Sequence, residues 1–225
     1  MKFSWIKWSI LPAAILLVGG VAVAQDQSSS GSQASSQSGE AAAPAPVEKP
    51  KPNVAQRKEN QQDRIANGVK SGQLTAGETK NLEKREAAIN KETAADRAAN
   101  GGKLTAAEKK QVNRQQNQMS KQIYADKHNA NSAHYGNNKV GQRRENQQDR
   151  IAQGIKSGQM TAGEAARSEK QQQGINKQVA ADRKANGGKL NASEKKQVNK
   201  EQNAASRSIY RKKHNAKTQP GTEPK

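Results

Sequence analysis

Adjacent cationic side chains recur in clusters along this chain. The clusters are Arg57-Lys58, Lys109-Lys110, Arg143-Arg144, Lys195-Lys196 and Arg211-Lys212-Lys213. Gln and Asn residues are interleaved with them, as in the run from Lys109 to Asn117. Clustered cations contact phosphates, and amide groups add hydrogen bonds to sugar hydroxyls without reading a sequence. The pattern therefore predicts an anion-binding surface at these residues.

The overall charge favours the same interpretation. The 225 residues include 39 Lys and Arg against 20 Asp and Glu, which gives a formal net charge of +19. A surplus of this size attracts polyanions such as nucleic acid, phosphorylated lipid headgroups, lipopolysaccharide or acidic glycans. The alternative is that excess Lys only keeps a polar helical protein soluble. Beyond the first ten residues the aromatic residues are Tyr124, Tyr135 and Tyr210, so base stacking is disfavoured as a binding mode.

Two segments resemble calcium-binding EF-hand loops in part. Their candidate ligands are Asp96, Asn100 and Glu108, repeated as Asp182, Asn186 and Glu194. An EF-hand loop places oxygen ligands at positions 1, 3 and 5, a Gly at 6 and a bidentate Glu at 12. Counted from Asp96, position 3 is Ala98 and the Glu falls at position 13. The missing and displaced ligands disfavour calcium, and the two Glu residues are alternatively capping-box acceptors. We expect no other cofactor.

The remaining polar residues do not form an arrangement typical of an enzyme. His128 and His134 are six residues apart in a predicted loop, and only His214 returns in the duplicated segment. That spacing is not typical of metal ligands, whereas a Lys-His pair suits the negative end of a helix macrodipole. The chain has no Cys, and no Gly-rich phosphate loop follows a strand pattern. The sequence predicts a non-enzymatic protein.

Four similar turns connect the elements that must carry these residues. Each turn contains a Gly, then Thr or Asn, and a Glu three residues further on. The capping positions are Thr75, Thr105, Thr161 and Asn191. Gly takes the left-handed conformation that closes a helix, and the Thr or Asn and the Glu form a capping box for the next one. Each turn therefore ends one helix and begins another.

The Gly-x-Leu-Thr-x-x-Glu turn after a short basic helix resembles the SHOCT-type short helical module of bacterial proteins. It is also similar to turns of uncharacterised exported bacterial repeat proteins. The resemblance covers the turns and their flanking residues, and it departs from the SHOCT pattern because no aromatic residue follows Glu78, Glu108, Glu164 or Glu194. It implies an interaction or assembly module and transfers no catalytic residue.

The chain from residue 53 is a tandem duplication. Gln56–Ala66 returns as Gln142–Ala152 at an offset of 86 residues. Each copy has two of the four turns, so the pattern reads helix, turn, helix, turn, helix, twice. The sequence predicts an all-α fold of two three-helix units, at residues 53–130 and 141–216, joined by a linker at 131–140.

Apolar residues at helical spacing predict the core of each unit. In the first unit they are Ile65, Val69, Leu74, Leu82, Ile89, Leu104, Val112, Met119 and Ile123. In the second unit Leu82 is matched by Ser168 and Met119 by Ala205, and Gly174 falls inside a helix. Glycine costs about 1 kcal/mol relative to Ala at such a position. We therefore predict that the second unit is the less stable one.

The two ends of the chain are predicted to lie outside the helical units. Residues 1–24 resemble a signal peptide, with Lys2 and Lys7 before an apolar run and Ala24 at the cleavage site. Residues 25–52 are rich in Ser and Gln and then in Ala and Pro, which is typical of a disordered linker. We predict a disordered tail at 217–225. Export would make the protein periplasmic or secreted, with membrane contact only through an uncleaved signal.

Three functional hypotheses follow from these patterns. The leading one is an exported, non-enzymatic basic helical repeat protein that binds an anionic cell-envelope component or a protein partner. Export disfavours nucleic acid as that partner. The first alternative is a calcium-binding module with degenerate EF-hand-like loops. The second is a disordered basic chain that folds only on a partner.

Overall fold

Residues 52–221 are described by a computed structural model, and in this range the protein is all-α, as predicted. The proposed signal peptide, its cleavage site, almost all of the linker and the last four residues lie outside the described residues. The helices are α1 (Val54–Lys70), α2 (Ala76–Ala99), α3 (Ala106–Lys127), α4 (Lys139–Lys156), α5 (Ala162–Ala185) and α6 (Ala192–Lys213). The helices α1 to α3, here called the first unit, correspond to α4 to α6, the second unit, at the offset of 86 residues.

The four turns have the predicted capping chemistry. The α3 amide at Glu108 donates to Thr105 Oγ1 over 3.3 Å, and the Thr105 amide donates to Glu108 Oε2 over 2.7 Å. The same reciprocal arrangement begins α2, α5 and α6. Gly102 and Gly188, which precede α3 and α6, have φ angles of 87° and 90°. Since L side chains rarely adopt such angles, these glycines allow the sharp reversals between helices.

The helices form layers in which α3 and α6 are outermost. The inner helices pair across the two units, α1 with α4 and α2 with α5. On one flank α3 packs against α1 and α2, and on the other α6 packs against α4 and α5. Among the described helices, α3 makes no contact with any helix of the second unit, and α6 makes none with the first. The four inner helices therefore separate α3 from α6.

The two units share one apolar core. Its largest cluster joins Ile65, Leu82 and Ile123 of the first unit to Ile151 and Ile209 of the second. Two smaller clusters lie one in each unit, around Val112 and around Val198. All nine apolar residues predicted for the first unit are buried. The small residues Ser168 and Ala205 are buried as well, so the second unit does contribute less apolar volume at those two positions.

The connection between the units ends earlier than predicted. Asn138 caps α4 by accepting from the Gly141 amide over 3.1 Å, so the helix begins at Lys139. Earlier in the connection, the Ala133 amide donates to the Gly72 carbonyl over 2.8 Å, which ties this segment to the first turn. The chain between α3 and α4 is therefore fastened to the first unit before the second one starts.

Candidate anion-binding surfaces

The exposed side of α6 presents a row of cations. We define the α6 face by Lys195, Lys196, Lys200 and Arg207, with the neutral Asn199 and Asn203 between them. Lys195 is four residues from Asn199 and Lys196 is four residues from Lys200, and this spacing keeps side chains on one side of a helix. All six residues are exposed, and no Asp or Glu is among the residues lining this surface.

The acidic residues of α6 are half-buried and already accept hydrogen bonds. Glu194 accepts from the Asn191 amide over 2.9 Å as part of the helix cap. Glu201 accepts from Gln197 Nε2 over 2.7 Å. Because neither side chain belongs to the α6 face, its positive charge is not cancelled within the helix.

The outer side of α3 repeats this arrangement. We define the α3 face by Lys109, Lys110, Arg114 and Lys121, which stand 86 residues before the four cations of the α6 face. All four are exposed. The helix has no acidic residue between Glu108 and Asp126. The protein therefore has two equivalent cationic faces, one on each outermost helix.

Two arginines from the inner helices stand at the edges of these faces. Arg57 Nη1 donates to Asn113 Oδ1 over 3.1 Å, and Arg143 Nη1 donates to Asn199 Oδ1 over 3.2 Å. The second guanidinium nitrogen of each donates to the next Asn along α3 or α6. These partners are neutral amides, so they orient the guanidinium groups without neutralising them.

A groove opens where α4 begins and α5 ends. It has a volume of about 930 Å³, and its lining combines the apolar Val140 and Leu190 with cations. The cations are Lys139, Arg143, Arg183, Lys189 and Lys195. The first unit has a matching groove of about 580 Å³, and neither groove is lined by an Asp or Glu. Since Lys195 belongs to both the groove and the α6 face, the two form one continuous basic surface.

Two of the predicted anion-binding residues are buried instead. Lys58 is 4% exposed and donates to the Pro220 carbonyl over 3.2 Å. Arg144 is 9% exposed, and its guanidinium carbon lies 5.5 Å from the centre of the Tyr135 ring. Burial lowers the pKa of both groups because it disfavours the charged form. Lys58 therefore fastens the segment after α6 to the helices, Arg144 fastens the connection between α3 and α4, and neither extends the exposed faces.

The three consecutive cations at the end of α6 also include both exposed and partly buried residues. Arg211 is exposed and continues the α6 face. Lys212 Nζ donates to Ser208 Oγ over 2.8 Å and to Ser168 Oγ over 3.1 Å. Lys213 Nζ donates to Gln153 Oε1 over 2.8 Å. Partial burial lowers the pKa of both lysines, which act mainly as links between helices.

In the loops that resemble EF-hands, the carboxylates of Glu108 and Glu194 are engaged in helix capping. Asn100 Nδ2 donates to both oxygens of Glu108, over 2.8 and 3.0 Å, and to the Asp96 carbonyl over 2.8 Å. Asn186 makes the same bonds to Glu194. Within residues 52–221 no group of three or more His, Cys, Asp or Glu is arranged to hold a metal ion. This geometry fits the capping interpretation of the two Glu residues.

The helix-ending histidines lie against the exposed tyrosines. His128 and His214 are the C-terminal caps of α3 and α6. Each ring stacks on the Tyr one turn earlier, with centroids 4.1 Å apart. Tyr124 is 61% exposed and Tyr210 is 56% exposed, so both rings border the cationic faces. His134 lies in the connection between α3 and α4, and its Nε2 lies 2.8 Å from Ser132 Oγ.

Sequence reasoning missed a group of buried carboxyls between the units. Glu83 and its counterpart Glu169 have no solvent exposure. Glu83 accepts from Gln62 Nε2 over 3.4 Å, and Glu169 accepts from Gln148 Nε2 over 3.0 Å. Desolvation raises the pKa of Glu169 to about 8 and that of Glu83 well above its ordinary range. The signal that could have revealed these carboxyls is a spacing of four and three residues along α2, which marks an inward-facing stripe despite its polarity. The stripe consists of Thr79, Glu83, Glu86, Asn90 and Thr93.

No family model matches this chain, and comparison with curated proteins and with solved structures gives no match either. The resemblance to the SHOCT module therefore stays a prediction. No helix in the described part of the chain has the length and apolar character needed to cross a membrane.

Proposed function

We propose that this is an exported, non-enzymatic protein that binds an anionic polymer of the cell envelope. The observation that carries this proposal is the pair of matching cationic faces on α3 and α6, from which Asp and Glu are absent. The signal-like residues 1–24 support the envelope as the location of the partner.

The extent of each face favours a polymer over a small anion. The α6 face runs from Lys195 to Arg207, a separation of 12 residues. At the helical rise this span is about 18 Å. Repeated negative charges along a linear polymer match such a row, and the neutral Asn199 and Asn203 add hydrogen-bonding groups for sugar hydroxyls.

The two alternative functions have less support. Glu108 and Glu194 accept hydrogen bonds from Asn100 and Asn186, so the same carboxylates would have to be released before they could bind calcium. The apolar cluster that includes Ile65 and Ile151 gives the chain a core of its own, without a partner. We therefore propose neither a calcium-binding module nor a chain that folds only on binding.

The test is polyanion binding by the chain without residues 1–24. Fluorescent polygalacturonate serves as the anionic probe, and dextran as the neutral control. We expect binding to polygalacturonate that weakens steeply with added NaCl, because association with a polyanion releases counterions. No binding, or binding that is insensitive to salt, would contradict the proposal.

A further inference from the structure

We propose that the protein bridges two strands of anionic polymer, one on the α3 face and one on the α6 face. This inference rests on the proposed function and adds a cross-linking activity to it. Within residues 52–221, the two faces lie on helices that have no packing partner in common. The α3 face belongs to a helix that packs only on α1 and α2, and the α6 face to one that packs only on α4 and α5.

The separation of the faces favours two strands over one. Three helix-to-helix steps lie between α3 and α6, through the first inner pair and the second. Packed helices are 8–10 Å apart, so three steps place the two outer axes up to roughly 24–30 Å apart, with the inner helices keeping them out of contact. The Debye length at physiological ionic strength is about 8 Å. Each face therefore attracts anions independently of the other, and a single strand would have to bend around four helices to reach both.

The two faces are equivalent at their four cationic positions. Arg114 is matched by Lys200, and Lys121 by Arg207, so residue identity differs while the charge stays. The remaining two positions have Lys in both copies. In contrast, the inner pair Leu82 and Ser168 differs in polarity although both residues are buried. At these four positions the duplicated chain thus has the same number of cations on each side, and beyond them the α6 side adds Arg211, whose counterpart in α3 is Ala125.

The shared apolar core fixes the two faces relative to one another. The cluster containing Ile123 of α3 and Ile209 of α6 runs continuously between the units. The two faces are consequently held on one packed body, without a flexible connection between them. A rigid bivalent binder whose sites face apart cannot fold back on one strand, so its second site is free for another.

The experiment uses two pools of oligogalacturonate, one attached to beads through biotin and one labelled with a fluorophore. Direct binding is measured with the labelled pool alone, and bridging is measured as fluorescence captured on the beads. The α3-face variant is Lys109→Gln, Lys110→Gln, Arg114→Gln and Lys121→Gln. The α6-face variant is Lys195→Gln, Lys196→Gln, Lys200→Gln and Arg207→Gln.

A matched control removes four exposed cations from the inner helices. It has Lys84→Gln, Arg85→Gln, Lys91→Gln and Lys170→Gln, so its net charge equals that of each single-face variant. Gln is a good helix former, so all three variants should keep the helices, which a circular dichroism melt checks. The natural sequence and this control should both bind and bridge.

We expect each single-face variant to bind the labelled oligomer but to capture at least tenfold less of it on beads. A variant with both faces changed should neither bind the labelled oligomer nor bridge it to the beads. Bridging by a single-face variant, or binding without bridging by the natural sequence, would overturn this inference while the proposed function stands. No binding by the natural sequence would instead overturn the proposed function itself.

Discussion

The two units have matching outer faces but different interiors. All four cationic positions of the α3 face have a cation at the corresponding place on the α6 face. Inside, Thr79, Glu86 and Thr93 of α2 are replaced by Ala165, Gln172 and Val179 of α5. The solvated side and the buried side of a helix contact different surroundings, so the cations on one side can stay while the packing residues on the other side change.

The difference in the interiors changes the expected stability of the second unit. Ser168 and Ala205 remove apolar volume that Leu82 and Met119 supply in the first unit. Val179, however, places an apolar side chain where the first unit buries Thr93. The lower stability of the second unit therefore stays a prediction, to be checked by hydrogen exchange. Stronger protection of residues 142–210 than of 56–124 would contradict it.

Truncating matched core residues tests most strongly whether the two units fold as one body. Ile65 and its counterpart Ile151 have no solvent exposure and belong to the cluster that joins the units. We expect Ile65→Ala and Ile151→Ala each to lower the free energy of unfolding by about 2–5 kcal/mol. Both should shift a single transition in urea, followed by circular dichroism. Separate transitions, of which each variant moves only one, would show independent units.

The start of α4 tests a local difference between the units. A Cβ added at Gly141 would meet the backbone carbonyl oxygens of Tyr135 and Gly136 inside van der Waals contact. The corresponding residue of α1 is already Ala55. We expect Gly141→Ala to destabilise the protein by about 1–3 kcal/mol, because the connecting segment must move.

Urea unfolding of Gly141→Ala measures this cost, and Gly163→Ala is the control. Gly163 lies in the first turn of α5, where an added Cβ would meet only the end of the Arg167 side chain at 3.9 Å. Equal midpoints for the two variants would show that the connection accommodates the methyl group.

The buried carboxyls between the units predict a loss of stability at alkaline pH. Burial raises the pKa of Glu169 from 4.5 to about 8, so the folded state holds a proton that the unfolded state releases. This contribution to stability is complete below about pH 4.5 and is lost as the pH rises through about 8. We expect Glu169→Gln to be less sensitive to pH across this window than the natural sequence.

Thermal melts at about pH 5 and about pH 9, on either side of the pKa of Glu169, measure that dependence. Glu201→Gln is the control because Glu201 lies in α6 and is only half-buried, whereas Glu169 is fully buried in α5. The same pH slope in Glu169→Gln as in the natural sequence would contradict the assignment. Glu83→Gln should act in the same direction, since the pKa of Glu83 is also raised by burial.

The smallest expected effect comes from making α2 more like α5. The buried Thr93 hydroxyl has no hydrogen-bond partner, and its counterpart is Val179. We expect Thr93→Val to stabilise the protein by about 1 kcal/mol, because it removes an unsatisfied polar group at almost constant volume. Urea unfolding measures the change, with Val179→Thr as the converse variant. Destabilisation by Thr93→Val would indicate a hydrogen bond to an internal water.

Local patterns in the chain predicted the helices and their limits because the chemistry involved is local. A capping box such as that of Thr105 and Glu108 is complete within four residues, and a glycine such as Gly102 needs only its own φ angle. The same holds for the apolar stripes, whose helical spacing alone identified the buried residues of the first unit. The cationic clusters were recognised equally well, but not which of their members stay in solvent.

Burial of individual polar residues could not be predicted in this way. Lys58 and Arg144 are adjacent to Arg57 and Arg143 in sequence, yet they point inward while their neighbours border the outer faces. Glu83 and Glu169 are ordinary helix residues by composition, and their burial requires a second helix to cover them. Which neighbour covers a side chain depends on contacts between residues far apart in the chain.

The amino-acid sequence by itself determined the all-α class, the offset of 86 residues, the helix caps and the high positive charge, since each depends on residue type and short-range spacing. Only the tertiary structure decided that α1 and α2 pack against α4 and α5, which leaves α3 and α6 on opposite flanks. The physical reason is that the burial of a side chain and the distance between two faces depend on how the helices pack against each other. The observed packing places the cations on two separate faces.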